Sequence, residues 1–224
     1  MLRRTSLTGL VTALLLAAVA SWASAMPVTQ LTFEGLKDME VIQGYYNGGL
    51  GGSGSGPGPS YGITFSSDSL AIIQQAAGGS GNFEKNPSGI TIAFFLTGAG
   101  DIMNVPGGFD TGFSFFYSAA VYPGSVTVYD GLNGTGNVLA TLNLPVTPQL
   151  PGSTYTYSNW QPVGVNFAGI AKSVNFSGTA NYIGFDDITL GSANPVVPEP
   201  TSLTIWSLLG AAGMVFGRRQ LRRS

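Results

Sequence analysis

From Val28 to Leu190 the chain alternates apolar and polar residues in short runs, each cut off by glycine or proline, and never settles into a helical period. Alternation with a period of two places one side-chain set on a core and the other in solvent, which is the pattern of a half-buried strand. Such runs are Val28–Glu34, Tyr61–Phe65, Ile90–Leu96, Phe113–Tyr117, Ser125–Tyr129 and Val138–Leu144, then Trp160–Phe167, Ile170–Phe176 and Tyr182–Leu190, with a shorter candidate at Met39–Ile42. Ser69–Gln75 fits either a strand or a short helix, and its place between two strand-like runs favours a strand. No strand is assigned between Leu96 and Phe113. Asp130–Gly136 (DGLNGTG) is rich in residues that tolerate positive φ and reads as a hairpin connection. Gly48–Pro59 (GGLGGSGSGPGP) reads as a flexible surface loop, and it lacks the Lys-Ser/Thr ending of a phosphate loop. The expected fold class is all-β: an antiparallel β-sandwich of jelly-roll kind.

The two ends of the chain carry a different pattern. Arg3 and Arg4 precede an apolar stretch, Leu10–Ala20, and Ala23-Ser24-Ala25 supplies small residues for cleavage, so residues 1–25 read as a secretory signal helix removed by signal peptidase. The β-sandwich domain is expected over 26–191, and a linker over 192–200 ends in Val197-Pro198-Glu199-Pro200. Residues 201–217 carry no charge and read as a short transmembrane helix, given that about 20 apolar residues cross a full hydrocarbon core. Arg218, Arg219, Arg222 and Arg223 in the tail 218–224 should stay on the cytoplasmic side. The expected location is therefore exported: anchored in the inner membrane before processing, then at the cell surface or outside the cell.

Six of the nine positive charges belong to these ends, which changes the charge of what remains. Residues 26–196 keep Lys37, Lys85 and Lys172 against ten acids and no arginine, a balance of −7 where the whole chain shows −2. Such a body has no electrostatic footprint for nucleic acid. The chain also lacks cysteine and histidine. That removes disulfides, thiolate sites, the commonest transition-metal ligand and any Ser-His-Asp or Cys-His device built within the chain. Carboxylates, hydroxyls, amides and carbonyls remain, an inventory that suits calcium.

Near the end of the body, Ile183 and Phe185 share one parity while Ile188 and Leu190 share the other. A strand that buries all four on one face must shift register, and a β-bulge at Asp186-Asp187 does this.

The tripartite tail resembles the PEP-CTERM sorting signal of Gram-negative bacteria, carried here by Pro198-Glu199-Pro200, Leu203–Phe216 and Arg218-Arg219. The resemblance implies handling by an exosortase near the motif and release or attachment at the cell surface, in contact with exopolysaccharide. An ordinary C-terminal anchor behind a proline-rich stalk is the competing reading. The pairing of LTFEGL (Leu31–Leu36) with YIGFDDITL (Tyr182–Leu190) resembles exported β-sandwich domains of the carbohydrate-binding-module kind. That similarity implies pairing of the first and last strands and a structural calcium at Glu34, Asp186 and Asp187. The phrases FEGL, YGITF, GGSGNF, FSFFYS, SVTVYDGLNGTG and FDDITLGSA are similar to a recurrent set of PEP-CTERM proteins, a resemblance that brings no activity with it.

Tyr45, Tyr46, Tyr61, Tyr155, Tyr157 and Trp160 flank or lie in loops, and of these Tyr45, Tyr46, Tyr61 and Trp160 are the candidates for stacking on sugar rings. The leading reading is a non-catalytic surface module that binds glycan or calcium. The alternative is a secreted carbohydrate-active hydrolase, for which Glu34 and Asp187 would be the two carboxylates if their strands pair. Adsorption to ice or mineral ranks below both, since no regular Thr-x-Thr array appears.

Overall fold

The computed structural model describes residues 28–98 and 100–196. The signal segment 1–25, the motif Val197-Pro198-Glu199-Pro200, the run 201–217 and the tail with its four arginines lie outside the described residues. Among the described residues no helix is long and apolar enough to cross a membrane.

Strands are numbered along the chain. One sheet runs, edge to edge, β10 (Gln161–Asn166), β7 (Gly112–Ser118), β12 (Gly184–Leu190), β5 (Thr91–Phe95), β4 (Ser69–Ile73) and β2 (Glu40–Val41), with β1 (Thr29–Leu31) also paired to β12. The facing sheet runs β3 (Thr64–Phe65), β6 (Gly100–Phe109), β11 (Ala171–Gly178), β8 (Gly124–Tyr129) and β9 (Val138–Leu144). Every ladder is antiparallel, and the chain crosses between sheets at most connections after β5, which makes the fold an all-β, jelly-roll-like sandwich. SLAIIQQ is the strand favoured for it, β4, and a single 3-10 turn at Gln75–Ala77 follows.

The inward parity of each strand builds one seam of aromatic rings. Phe176 of β11 sits edge-on against Phe185 of β12 with centroids 4.9 Å apart, and against Phe113 and Phe115 of β7 at 6.0 and 5.9 Å. All four are buried, and each contributes on the order of 2–3 kcal/mol by leaving water.

Two stretches depart from the sequence reading. β6 is a ten-residue strand where none was assigned. Its inward positions are Asp101, Met103 and Val105; then Pro106-Gly107-Gly108 bulges out, so that five steps from Asn104 to Phe109 face two steps from Ser173 to Ala171. A charged inward residue and a proline hid the alternation.

The second departure is the glycine-rich stretch Gly48–Pro59, which is folded. The fully buried Glu40 carboxylate accepts the amide N–H of Lys37 at 2.7 Å, of Ser53 at 2.7 Å and of Ser55 at 3.1 Å. Burial alone would raise the Glu40 carboxyl, but these donors outweigh it and hold it below its ordinary value. Backbone bonds complete the loop, among them Gly52 N–H to the Val41 carbonyl at 2.8 Å and Gly58 N–H to the Gly49 carbonyl at 3.0 Å. Glycine supplies close approach here more than freedom: a side chain at Gly51 would meet Glu40 Oε1 at 2.6 Å.

Candidate functional site

The outer face of the larger sheet is covered by loops. The segment after β4 crosses it and is stitched to the 153–160 segment through a bridge between Phe83 and Tyr157. Two features lie between this loop layer and the sheet.

The first is the strand junction at Asp186-Asp187. β12 pairs with β5 at Phe185↔Ala93 and with β1 from Leu31↔Ile188 onward, so its neighbour changes at the two aspartates. On the other side, three steps from Asp186 to Thr189 face two steps from Phe116 to Ser114, and Asp187 takes φ 50°. The bulge demanded by the parity of Ile183, Phe185, Ile188 and Leu190 therefore exists, and all four are buried. Glu34 closes the gap between β1 and β5 by accepting Ile90 N–H at 2.9 Å and Thr91 N–H at 2.8 Å on Oε1.

Both aspartates are fully buried, with unlike surroundings. Asp186 accepts Ser88 N–H at 3.2 Å, the Ser88 hydroxyl at 3.1 Å, the Asn86 amide at 3.3 Å and Asp187 N–H at 2.8 Å. Burial, and then the neighbouring Asp187 charge, push its carboxyl well above the ordinary value despite these donors. Asp187 has both carboxylate oxygens buried without a hydrogen-bond partner. Ser88 and Gln30 lie near enough to favour its charged form, but neither reaches bonding geometry. Burial pushes the Asp187 carboxyl up to about 6, with Glu34 adding repulsion. An unpartnered buried carboxylate costs several kcal/mol if it stays charged, so it must take a proton or a cation. Among the described residues no group of three or more acidic side chains is gathered closely enough to hold a metal ion. Of the expected set Glu34, Asp186 and Asp187, two are spent on amides and only Asp187 is unspent.

The second feature is a cleft of about 330 Å³ whose floor is Ile72, Ile92, Phe94, Ile183 and Gly184. Ile72, Ile92, Phe94 and Gly184 have the parity opposite to Ala71, Ala93 and Phe185, which face the sandwich core, whereas Ile183 shares the parity of Phe185 and sends its side chain inward. Gly81, Asn82, Phe83 and Tyr157 form one wall; Asn181 and Tyr182, at the turn into β12, form the other. The Phe83 ring is held by Trp160, edge-on at 6.2 Å, and the Trp160 indole N–H donates to the Glu84 carbonyl at 3.0 Å. A side chain at Gly184 would meet Ile92 Cδ1 at 2.7 Å and the Trp160 ring at 3.1 Å, so glycine is needed for the wall to close. Glu84 fixes the far strand of the wall by accepting Thr154 N–H at 2.7 Å and Tyr155 N–H at 3.2 Å. Asn82, Asn181 and Tyr182 are exposed, Tyr157 is half-buried, and Tyr122 packs edge-on against Tyr182 at 4.8 Å. Burial and the nearby Tyr182 push the Tyr157 hydroxyl up to about 12, so it is a neutral donor at every working pH.

The four aromatic candidates part company. Tyr45 and Tyr46 are core residues, a correction to their expected role in stacking: Tyr45 donates its hydroxyl to the Glu34 carbonyl at 3.0 Å, and the Tyr46 hydroxyl accepts Phe33 N–H at 2.6 Å. Tyr61 is exposed and lies flat against Tyr46, away from the cleft lining. Trp160 supports the cleft from behind. Tyr157, one of the loop aromatics read from the sequence, lines the cleft; Phe83 and Tyr182 were missed, because they come from distant segments and only the sheet crossing joins them.

No protein-family model matches the chain, and no curated protein matches it. Among solved structures, the K2 adhesin domain of Lys-gingipain from Porphyromonas gingivalis is similar at 15% identity, covering 73% of this chain and 97% of that one, with a TM-score of 0.44. A carbohydrate-binding module from the lichenase 5A of Cellvibrio mixtus, solved with cellotriose, is 15% identical over 56% of this chain and 88% of that one, TM-score 0.36. The module TmCBM61, solved with β-1,4-galactotriose, is 14% identical over 57% and 86%, TM-score 0.34. These likenesses are loose, and the chemistry of the site rests on its own side chains.

Proposed function

We propose that this chain is an exported surface or matrix module, delivered by its PEP-CTERM-like tail, that binds glycan without cleaving it. The observation that carries the glycan reading is the cleft: an apolar floor of Ile72, Ile92 and Phe94 under a rim of uncharged amides and hydroxyls. A sugar ring has that same division, with C–H faces that pack on apolar and aromatic surface and hydroxyls that need donors and acceptors at the edge. The carboxylates offer no rival site for hydrolysis, because Asp186 and Asp187 are sealed from solvent and Glu34 is bound to two amides.

The position of Val196 in the domain supports a surface role. β1 and β12 pair antiparallel, and Val196 is tied back by its N–H to Thr189 Oγ1 at 3.3 Å and by its carbonyl to the Gln30 amide at 3.0 Å. Both ends of the domain thus leave beside each other. Tyr182 stands at the opposite end of β12, about 23 Å away for a strand of this length. A domain tethered through residue 197 and beyond would therefore carry its cleft mouth away from the membrane.

A test is retention of the full chain on immobilised polysaccharides, compared with Tyr182→Ala. Binding that is lost in the variant while the melting temperature holds supports the reading; binding that is unchanged in the variant overturns it. A second role, a structural cation at the strand junction, is favoured by one observation: the two orphan oxygens of Asp187. The fit is to a single carboxylate with carbonyls and water completing the shell, in place of the three-carboxylate set.

A further inference from the structure

The charge distribution around the cleft narrows the ligand further. We infer that the cleft takes a neutral glycan and excludes polymers that carry carboxylates or sulfates, an inference that rests on the reading of the cleft as a glycan site. No charged side chain lines it. The nearest ionised groups are turned elsewhere: the Glu84 carboxylate caps the amides of Thr154 and Tyr155, and Lys85 Nζ donates to the Ser153 hydroxyl at 2.9 Å.

The remaining cations are also committed. Lys37 Nζ donates to the Ser53 carbonyl at 2.7 Å, and Lys172 neighbours Asp130 on the other sheet. Recognition of an anionic sugar needs a guanidinium, an ammonium or a row of free amides to replace the water lost by its carboxylate. The cleft is lined by neither a guanidinium nor an ammonium, and the body around it carries three lysines against ten acids, which repels a polyanion before contact.

What the cleft does supply is matched to neutral hydroxyls. The Asn181 side chain stands exposed at the mouth, its backbone held with φ 66° by a bond from its N–H to the Phe95 carbonyl at 2.8 Å. Its amide offers a donor and an acceptor to vicinal hydroxyls. The Tyr182 ring, backed by Tyr122, presents apolar surface with a hydroxyl at its edge, and Tyr157 adds a second hydroxyl close to it. The Asn82 amide is fixed by Thr156, donating to its hydroxyl at 3.1 Å and accepting its N–H at 3.3 Å, so the opposite wall is set in advance of binding.

The experiment measures binding of the full chain to a neutral β-glucan and a neutral β-galactan, and to alginate and polygalacturonate, at low and at physiological salt. The expected result is binding to at least one neutral polymer, none to either polyuronate, and a loss of about tenfold in Tyr182→Ala and in Asn181→Ala, equivalent to about 1.4 kcal/mol. Equal binding of polyuronates that is lost in the same two variants overturns the neutral class and leaves the cleft standing. Binding to no polymer, or binding of equal strength in both variants, overturns the cleft reading as well.

Discussion

Asp101 offers a stability switch whose size follows from its surroundings. It occupies an inward position of β6, 2% exposed, beneath the turn where the chain passes from β3 in one sheet to β4 in the other. Its Oδ1 accepts the hydroxyls of Ser69 and Ser66, the latter at 3.3 Å. Burial pushes the carboxyl up to about 7; the serines pull it partly back, and Asp68 adds repulsion. In the unfolded chain it should titrate near its ordinary value of about 3.9. Between those values the folded state holds a proton that the unfolded state has lost, so stability falls as pH rises, by about 1.4 kcal/mol per pH unit for one group. Over the full interval the loss is about 4 kcal/mol, and relaxation of a buried site reduces it to about 2. Asp101→Asn keeps an oxygen for Ser69 and a donor for Ser66 while removing the charge. Urea or thermal melts of the full chain and the variant at pH 4.5 and pH 8 should show near-equal stability in acid and a variant that is about 2–4 kcal/mol more stable at pH 8. In thermal melts that is about 4–16 °C for a domain of this size. Asp186 and Asp187 add a slope of the same sign to both proteins and cancel in the difference. A difference that stays constant with pH, or grows in acid, would show that Asp101 is ionised or solvated in the folded state and would refute the reasoning.

Two further outcomes follow from the other buried carboxylates. Calcium should raise the melting temperature of the full chain over that in EGTA and leave Asp187→Asn unmoved, because a ligand of the native state stabilises it by mass action; equal shifts in both proteins would place the ion elsewhere. Glu40→Gln strands at least one of the amides of Lys37, Ser53 and Ser55, costing about 1–3 kcal/mol. It should open the 48–59 loop to limited proteolysis, and a loop that stays resistant would mean that its backbone bonds suffice. The wild-type contribution of Glu40, whose folded carboxyl lies below its ordinary value, is present at neutral pH and lost as pH falls through the acid range.

How legible the fold was depends on whether a signal was local. Alternation marked most strands, and the parity clash across Asp186-Asp187 located the bulge before any coordinates, because both depend on neighbours in sequence. β6 was not legible, since Asp101 faces inward for reasons held in Ser66 and Ser69. The order of Gly48–Pro59 was invisible for the same kind of reason, because its organiser is Glu40, outside the loop. Tyr45 and Tyr46 misled by sitting beside glycines: loop aromatics with a hydroxyl go inside when a backbone partner is available, as the Glu34 carbonyl and Phe33 N–H are here. The cleft was partly legible at best. Trp160 belongs to its support and Tyr157 to its wall, but Phe83 and Tyr182 join them only through the bridge at Phe83↔Tyr157 and the turn into β12.

The acids of this body act chiefly as backbone acceptors, and that changes what a charge of −7 means. Glu34 takes the amides of Ile90 and Thr91, Asp38 that of Ile73, and Glu40 those of Lys37, Ser53 and Ser55. Glu84 takes Thr154 and Tyr155, Asp130 takes Asn137, and Asp186 takes Ser88 and Asp187. A bond to a carboxylate held ionised, as at Glu40, Glu84 and Asp130, is stronger than a neutral one and fixes a loop that glycine and serine would leave loose. Without arginine or disulfides in the body, this is how long loops are held to the sheets, and one such loop borders both candidate sites. The segment from Gly81 to Thr91 is pinned at one end by Glu34 and Asp186 and near the other by Phe83 on Trp160. It therefore roofs the junction with Ser88 and walls the cleft with Asn82 and Phe83. Asp187, whose two buried oxygens lack partners, adjoins this segment through Asp186 and Ser88, so the junction and the cleft share one loop.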